Sequence, residues 1–435
     1  MDIKPSYYNL FFAFHNSYFI YNTYHSTLAE IEPKVSDALQ MEDLDKLDKK
    51  TLNKLQEGGF IIPVGRDEYS EYLKFFKRKT REPRLTIKLM LSTSCNCDCV
   101  YCYQKSADLK QETIGMKEVG ILGNWIVNEI DQFQIEDVDV ELFGGEPLLA
   151  SNVIPELYNI FNRIMDNRNI PFHTSIITNG TLLTDDLVNL IVTNNVLLKV
   201  TIDGVGEVHN QRRRILKSSV DSYKKIISNL KHIIDVGRSD LVEVRMNLDR
   251  QNISEVSKLA SELHTIGVTN FYCGRVLFRG KKTSYDDNII SDLEFDKEID
   301  WKLFELLREY GFVNSPSILE IRLPCQFYNK FGYVVSPSLN VAKCDELVDI
   351  KEHEIGYINN DGQLVIKGDN YSKQISLTPD DFEECKECKL LPLCGSGCPI
   401  VALNEKENLY TNSCSVNLES VEFKLANIIR AINTQ

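Results

Sequence analysis

The chain lacks any uninterrupted apolar stretch of the roughly 18 residues that a membrane-spanning helix needs, so no membrane partner is expected. Its start lacks a cationic segment, an apolar core and a small-residue cleavage site in series, so a cytoplasmic protein is expected. Positive charge is also in deficit, with 49 Lys and Arg against 63 Asp and Glu in 435 residues. The formal charge of −14 argues against general affinity for nucleic acid.

Cysteine is scarce and unevenly distributed. Twelve cysteines are too few to hold a chain of this length together as a disulfide scaffold. Four lie between Cys95 and Cys102, seven lie between Cys325 and Cys414, and Cys273 stands alone. Without an export signal, such clusters are typical of metal ligands or redox groups rather than disulfides.

The N-terminal segment, 1–80, is predicted to be a small, separate α+β domain. Aromatic runs on both sides of Asn16-Ser17 predict a β-hairpin, and Gly58-Gly59 predicts the end of a short helix. The basic stretch Lys74–Arg84 is interpreted as a solvated linker. An earlier helix is predicted from apolar residues at helical spacing, which are Leu28, Ile31, Val35 and Leu39.

The sequence pattern changes at Leu85, where short apolar runs begin to alternate with helical patterns. Six strand-then-helix units in series predict parallel strands with right-handed crossovers, as in a partial (β/α)6 TIM-like barrel over 81–315. The predicted strands are Thr86–Leu91, Val138–Phe143, Thr174–Thr178, Leu198–Ile202, Val242–Leu248 and Val268–Cys273. A bridging helix is expected at Ser291–Tyr310, and a cysteine-rich domain that ends in an amphipathic helix is expected over 316–435.

The first cysteine cluster follows the first predicted barrel strand. Cys95, Cys99 and Cys102 have C-x3-C-x2-C spacing, and Cys97 falls outside that frame. Three thiolates in a tight loop can hold three irons of a [4Fe–4S] cluster and leave the fourth iron open. The alternative is a zinc site, but zinc favours four ligands in paired C-x2-C arms.

Further motifs stand at the ends of successive predicted strands. They are Gly144-Gly145-Glu146-Pro147, Thr178-Asn179-Gly180, Asp203-Gly204 with His209 and Arg213, and the pair Arg245 and Asn247. Together with the cysteine triplet, they resemble the radical S-adenosylmethionine (SAM) enzymes. The resemblance implies a catalytic [4Fe–4S] cluster whose open iron binds SAM, and a 5′-deoxyadenosyl radical on reductive cleavage. It also implies that the two glycines let the backbone approach this ligand closely.

By the same resemblance, one set of residues is expected to bind SAM. These are Tyr101, Gly144, Gly145, Glu146, Thr178, Asn179, Asp203, Arg213, Arg245 and Asn247. Residues with a catalytic role are predicted only by their location near the barrel mouth, and they are Cys273, Asp203 and Arg275, with Asp345 as a further acid–base candidate. The alternative for Cys273 is a small core residue.

The second cysteine cluster reads Cys385-x2-Cys388-x5-Cys394-x3-Cys398 and then Cys414, with Cys325 and Cys344 upstream. A zinc-ribbon site is one alternative. The spacing resembles the SPASM extension of radical SAM enzymes that modify peptides. That resemblance implies two auxiliary [4Fe–4S] clusters, an outer one on Cys385, Cys388, Cys394 and Cys414 and an inner one on Cys325, Cys344 and Cys398. Leu339 stands where the family pattern often has glycine.

These features favour a maturase that installs a thioether or carbon–carbon cross-link in a ribosomally made precursor peptide. The N-terminal domain is similar to the winged-helix-like domains that recognise the leader of such peptides, which they add as a strand to the hairpin edge. An external electron donor such as flavodoxin or ferredoxin is an expected partner. One alternative is an anaerobic sulfatase-maturing enzyme that forms formylglycine. A zinc-binding adaptor is an alternative of another class.

Overall fold

The computed structural model describes residues 2–102, 104, 110–277, 285–313, 319–348, 350–414 and 416–433. Within these ranges, no helix is both long and apolar enough to cross a bilayer. All twelve cysteines fall in the described ranges, and none of them forms a disulfide.

The N-terminal part of the chain is a small α+β unit. Its elements are β1 (Ile3–Pro5), β2 (Asn9–Phe14), β3 (Ser17–Asn22), β4 (Thr27–Ile31), α1 (Pro33–Gln40), α2 (Lys49–Glu57), β5 (Ile61–Pro63) and α3 (Glu68–Lys79). Strands β2, β3 and β4 form an antiparallel sheet in that order. Ile20 packs with Val35 on one face of this sheet, while Tyr21 packs with Leu425 of the C-terminal helix on the other. The sheet therefore joins the two ends of the chain.

The predicted hairpin and the helix that ends before Gly58 are confirmed, but two other predictions for this region were wrong. Leu28 and Ile31 lie in β4 rather than in a helix, because Pro33 occupies the first turn of α1 and starts the helix there. The basic stretch Lys74–Arg84 is largely helical. It continues α3, which buries Phe76 and places its cations in the last turn, where the helix dipole favours them.

Six parallel strands with intervening helices form the centre of the molecule, as predicted. The elements are β6 (Arg84–Ser92), β7 (Cys97–Cys99), α4 (Met116–Phe133), β8 (Asp137–Gly144), α5 (Ile154–Arg168), β9 (Phe172–Thr178), α6 (Asp185–Thr193), β10 (Leu197–Thr201), α7 (Glu207–Arg212), β11 (Arg213–Ile215), α8 (Ser222–Asp235), β12 (Val242–Leu248), α9 (Val256–Thr265) and β13 (Asn270–Arg275). In the sheet, β6, β8, β9, β10, β12 and β13 are neighbours in sequence order. The alternation of side chains along β12 shows why a site forms inside the barrel. Val244 and Met246 are fully buried. Arg245 and Asn247 alternate with them and face the cavity described below.

The remaining elements continue this sheet instead of forming a detached unit. They are α10 (Asp292–Glu294), α11 (Asp300–Glu309), β14 (Gly332–Val335), β15 (Asn340–Ala342), β16 (Gly356–Ile358), β17 (Leu364–Ile366), α12 (Asn370–Ser376), α13 (Glu383–Lys386), α14 (Leu391–Cys394), α15 (Pro399–Lys406) and α16 (Leu418–Asn433). A π-helical turn, Phe295–Ile299, joins α10 to α11, so the predicted bridging helix is confirmed with an interruption. β14 pairs in parallel with β6, and β15, β16 and β17 follow antiparallel, which gives ten strands in one sheet.

The turn between β14 and β15 shows how a leucine, Leu339, is held at the position where the family pattern often has glycine. Leu339 has a φ of +66°, in the left-handed region that favours glycine. Its side chain is buried, its N–H donates to the carbonyl of Ser336 (2.9 Å), and its carbonyl accepts from Ile358 (2.9 Å). Apolar burial and two backbone hydrogen bonds therefore hold a leucine in a conformation that glycine adopts without strain.

We predict that Trp125→Ala lowers the free energy of unfolding by about 3–5 kcal/mol, the cost of a large cavity in a core. Trp125 is fully buried, its indole N–H donates to Glu129 (3.2 Å), and its ring meets Tyr333 of β14 edge-to-face at 5.5 Å. Anaerobic urea unfolding followed by circular dichroism measures the change. Met116→Ala, at the exposed start of the same helix, is the matched control and should change stability by less than about 0.5 kcal/mol.

Candidate active site at the carboxyl ends of the barrel strands

A cavity of about 300 Å³ lies at the carboxyl ends of the barrel strands. Residues from every barrel motif of the sequence line it, namely Cys95, Cys99, Tyr101, Cys102, Gly144, Gly145, Glu146, Thr178, Asn179, Arg213, Arg245, Asn247 and Arg275. The structure therefore brings the cysteine triplet and the strand-end motifs together in one place. The individual roles assigned to these residues stay predictions.

The cysteine loop is fixed by a short strand pair outside the main sheet. β7 pairs antiparallel with β11, which places Cys99 opposite Arg213. The amide of Cys97 donates to the sulfur of Cys95 (3.3 Å), and the hydrogen bond from the Cys97 thiol lowers the pKa of Cys95. Burial raises the pKa of Cys99 to about 11.

The Gly144-Gly145 turn packs directly against the cysteine loop. The amide of Gly145 donates to the carbonyl of Ser92 (2.8 Å), and the amide of Glu146 donates to the carbonyl of Ser94 (2.9 Å). A Cβ atom on Gly144 would lie 2.2 Å from the Ser92 oxygen, and one on Gly145 would lie 2.4 Å from the Ser94 oxygen. The sequence analysis expected these glycines to admit a ligand, but the close approach that requires them is to the loop backbone.

Glu146 is fully buried at the base of the cavity. Its carboxylate accepts hydrogen bonds from the Thr178 hydroxyl (2.6 Å), the Asn179 amide (2.8 Å) and the Leu148 amide (3.0 Å). Burial raises the pKa of Glu146 to about 7, although these hydrogen bonds oppose the shift. Glu146 thus ties the end of β8 to the end of β9 and still presents a titratable carboxyl to the cavity.

A buried network centred on Tyr101 lies beside the cysteine loop. Its hydroxyl donates to the Asp203 carboxylate and accepts from Arg213 Nη1 (2.5 Å) and Asn247 Nδ2 (2.9 Å). Asp203 also accepts from the backbone amide of Asn247 (2.9 Å), and its side chain is fully buried. Asp203 does not line the cavity, because Tyr101 and Asn247 engage its carboxylate, and its catalytic role stays a prediction.

The two other residues predicted to be catalytic differ in their placement. Cys273 pairs in register with Met246 and packs against the apolar core on the helix side of the sheet, which corrects its predicted position at the barrel mouth. Burial also raises the pKa of its thiol to about 12. Arg275 does line the cavity, where its guanidinium donates to the Ile290 carbonyl (3.1 Å) and pairs with Asp292.

Sequence reasoning named Asp345 but missed Lys199, which belongs to the same polar group on the cavity wall. Lys199 lines the cavity and pairs with Glu141 (2.7 Å), and Asp345 lines it from the side of the C-terminal region. Lys88 lies between the two carboxylates, 3.6 Å from Asp345 and 3.7 Å from Glu141. The period-two alternation of β10 could have identified Lys199, but only the tertiary structure could bring Asp345 to it.

The four cysteines assigned to the outer cluster lie near one another. Cys385 and Cys394 are buried, and Cys388 is half-buried. Burial and then the charges of Cys394 and Cys414 raise the pKa of Cys388. Burial raises the pKa of Cys385 as well, with contributions from Cys394 and Cys388. The mutual influence of these thiols agrees with their assignment to one group.

The three cysteines assigned to the inner cluster form a second group. Burial raises the pKa of Cys325, and the charge of Cys398 adds to it. Burial and then Asp345 raise the pKa of Cys344, with a further contribution from Cys325. Among the described residues, no set of three or more His, Cys, Asp or Glu side chains has the arrangement that a single metal ion requires.

Comparison with protein families identifies the class. Residues 89–263 match the model of the radical SAM superfamily, so the part of the chain from β6 to α9 is a radical SAM domain. This result decides against the zinc-binding adaptor.

Two relatives of known activity match over much of the chain. The cysteine-type anaerobic sulfatase-maturating enzyme of Clostridium novyi (strain NT) is 25% identical over 353 residues, which are 77% of this chain and 91% of that protein. The radical SAM cyclopropyl synthase TigE of Paramaledivibacter caminithermalis is 24% identical over 290 residues, which are 56% of this chain and 60% of that protein. The chain is therefore similar both to a sulfatase-maturating enzyme and to a radical SAM cyclopropyl synthase.

Two solved structures share the fold. Native anSMEcpe with bound AdoMet and Cp18Cys peptide superimposes with a TM-score of 0.62 at 19% identity, over 81% of this chain and 100% of that one. Streptococcus suis SuiB bound to S-adenosylmethionine superimposes with a TM-score of 0.53 at 13% identity, over 95% of this chain and 100% of that one. The match to SuiB extends over the N-terminal unit and the cysteine-rich C-terminal region.

We predict that Gly145→Ala destabilises the protein, because its Cβ would collide with the Ser94 backbone and push the cysteine loop away. Thermal unfolding under anaerobic conditions measures the effect. Gly120→Ala is the matched control: its Cβ meets nothing within 4 Å in the middle of α4, so it should stabilise the helix by about 0.5–1 kcal/mol. Equal stability of Gly145→Ala and the native protein would contradict the packing argument.

Proposed function

We propose that this protein is a radical SAM maturase that forms an intramolecular cross-link, a thioether or a carbon–carbon bond, in a ribosomally made precursor peptide. The observation that carries the proposal is the single cavity lined by the cysteine triplet and the strand-end motifs. Two auxiliary thiol groups and the N-terminal unit accompany the barrel in this chain. Both resemble parts of radical SAM enzymes that modify peptides, so they support a peptide substrate.

The residues around the cavity suit a [4Fe–4S] cluster and SAM. Cys95, Cys99 and Cys102 offer three thiolates and leave room for a fourth, non-protein ligand. Arg213 and Arg245 each have a buried Nε atom with no hydrogen-bond partner among the described residues. These two guanidinium groups are suited to hold a carboxylate at the cavity. When bound, the cofactor pair supplies a 5′-deoxyadenosyl radical that removes an unactivated hydrogen atom from the peptide.

The chain's own residues would orient the peptide and move its protons. Asp345 stands where the cavity meets the inner thiol group, since it lines the cavity and lies directly after Cys344. Its carboxylate is 3.6 Å from the ammonium of Lys88, an ion pair that holds the carboxylate at the cavity wall. We assign the proton-accepting role to Asp345 and a substrate-positioning role to Arg275, which α10 holds at the cavity wall through Asp292.

The N-terminal unit would hold the leader of the precursor. β2 and β4 are the edges of its three-stranded sheet, and an extended peptide can pair with the main chain of such an edge. Streptococcus suis SuiB, whose fold matches 95% of this chain, has been solved with its precursor peptide SuiA. The electron donor would be a flavodoxin or ferredoxin, and oxygen-labile clusters of this kind suit the reducing cytoplasm.

A sulfatase-maturing enzyme is the second candidate, since the match to the relative from Clostridium novyi covers 91% of that protein. The neighbouring genes separate the two functions. A short open reading frame with a cysteine-containing core favours the peptide maturase, whereas an adjacent sulfatase gene favours the alternative.

We predict that anaerobic incubation with the adjacent precursor peptide, reductant and SAM removes two hydrogens from the peptide, as mass spectrometry would show. Cys95→Ala should abolish this product because the triplet loses one ligand. Cys97→Ala is the matched control from the same loop and should retain the product. A sulfatase-derived peptide that is converted to formylglycine, with the precursor left unchanged, would decide for the alternative.

We also predict that Asp345→Asn lowers the yield of cross-linked peptide roughly a hundredfold, the lower range for a lost general base, while 5′-deoxyadenosine still forms. The two products are quantified in the same reaction by liquid chromatography. Glu346→Gln, next to Asp345 but outside the cavity lining, is the control. A parallel loss of both products in Asp345→Asn would count against the assignment.

A further inference from the structure

Helix α3 of the N-terminal unit reaches the outer thiol group through one residue, Tyr72. Its side chain is fully buried, and its hydroxyl has no hydrogen-bond partner among the described residues. That hydroxyl lies 3.9 Å from the position that a Cβ on Gly395 would occupy, and Gly395 directly follows Cys394. Tyr72 also shares an apolar cluster with Cys385. A buried phenol is therefore placed beside two of the four outer cysteines.

Two other hydrogen-bond donors stand around the same cysteines. The Ser396 hydroxyl is buried and also has no partner within the described part of the chain. The side-chain amide of Asn412 donates to the sulfur of Cys385 (3.9 Å). Burying a hydroxyl without a partner is unfavourable, so two such hydroxyls beside one thiol group indicate that sulfur atoms are their acceptors.

The protonation and surroundings of Tyr72 fit a donor role. A phenol is protonated at neutral pH, so the Tyr72 hydroxyl has a proton to donate. The guanidinium of Arg322 donates to the Cys394 carbonyl (3.1 Å) and holds the cysteine backbone in place. The phenol is thus fixed by the apolar cluster, while the neighbouring cysteine backbone is fixed independently.

We propose that Tyr72 donates a hydrogen bond to a sulfur atom of the outer [4Fe–4S] cluster, so that the N-terminal unit helps to set the reduction potential of this cluster. The inference rests on the proposed function, which supplies the outer cluster. Reduction adds one negative charge to the cluster, and a hydrogen bond to its sulfur stabilises that charge and raises the potential. Tyr72 is then a positioning and tuning residue rather than a catalytic one.

The experiment uses the full chain with Cys95, Cys99 and Cys102 changed to Ala, which leaves only the auxiliary clusters. Iron and sulfide analysis establishes that they are present, and the signal lost in Cys388→Ala identifies the outer cluster by electron paramagnetic resonance. Redox titration then compares Tyr72→Phe with this parent. We expect the midpoint of the outer cluster alone to become more negative, with the reduced-to-oxidised ratio at a fixed potential lowered roughly tenfold, or 59 mV for one electron.

A second measurement detects the hydrogen bond directly. In D₂O, electron–nuclear double resonance of the reduced outer cluster should show an exchangeable deuteron that Tyr72→Phe removes. Tyr158→Phe is the control, because Tyr158 is also buried but its hydroxyl forms a hydrogen bond with the Thr174 hydroxyl (2.9 Å) in the barrel. Tyr158→Phe should alter neither the midpoint potential nor the deuteron signal of the outer cluster.

The outcomes separate the inference from the proposed function. A parent protein that folds but retains no outer iron overturns the outer cluster and the inference together. Full outer iron with an unchanged midpoint and deuteron signal in Tyr72→Phe overturns the inference alone. Loss of the outer iron alone in Tyr72→Phe, with the stability of the metal-free protein unchanged, also supports the contact. A phenol with a purely structural role would change that stability and would not act on the cluster.

Discussion

Two amide hydrogen bonds join the end of β8 to the loop that carries the cysteine triplet, from Gly145 to Ser92 and from Glu146 to Ser94. They form only because neither glycine has a side chain to separate the two backbones. The Glu146 carboxylate extends the connection to the end of β9 through Thr178. The position of the triplet relative to the barrel depends on this contact, and so does every role that we assign to the cavity.

The cysteine-rich region is integrated with the barrel in two ways. β14 extends the barrel sheet by pairing with β6, which leads into the triplet loop. On the other side, the N-terminal unit donates hydrogen bonds to the loop of the outer cysteines, from Tyr7 to the Glu387 carbonyl and from Thr23 to the Lys389 carbonyl (2.6 Å). The three predicted regions are therefore joined by strand pairing and by hydrogen bonds from side-chain hydroxyls to backbone carbonyls, which favours a fixed distance between the thiol groups.

Particular residues show how far sequence reasoning reached. Arg245 and Asn247 were predicted as a motif of the fifth barrel strand, and both line the cavity. Cys273 stands at the end of a predicted strand too, but the register with β12 turns it toward the helices. Asp203 was predicted from its motif, yet its carboxylate is used by Tyr101 and Asn247 below the cavity. Motifs predict which strand end a residue occupies, whereas side-chain direction depends on pairing register.

Sequence reasoning alone established the barrel and the class of chemistry. These depend on local periodicity and on ligand spacing, which are written along the chain. The tertiary structure alone decided that Asp345 meets Lys88, that Leu339 occupies a left-handed turn and that Tyr72 reaches the outer thiols. The physical reason is that each of these depends on contacts between segments distant in sequence, which hydrophobic packing and strand pairing establish only once the chain has folded.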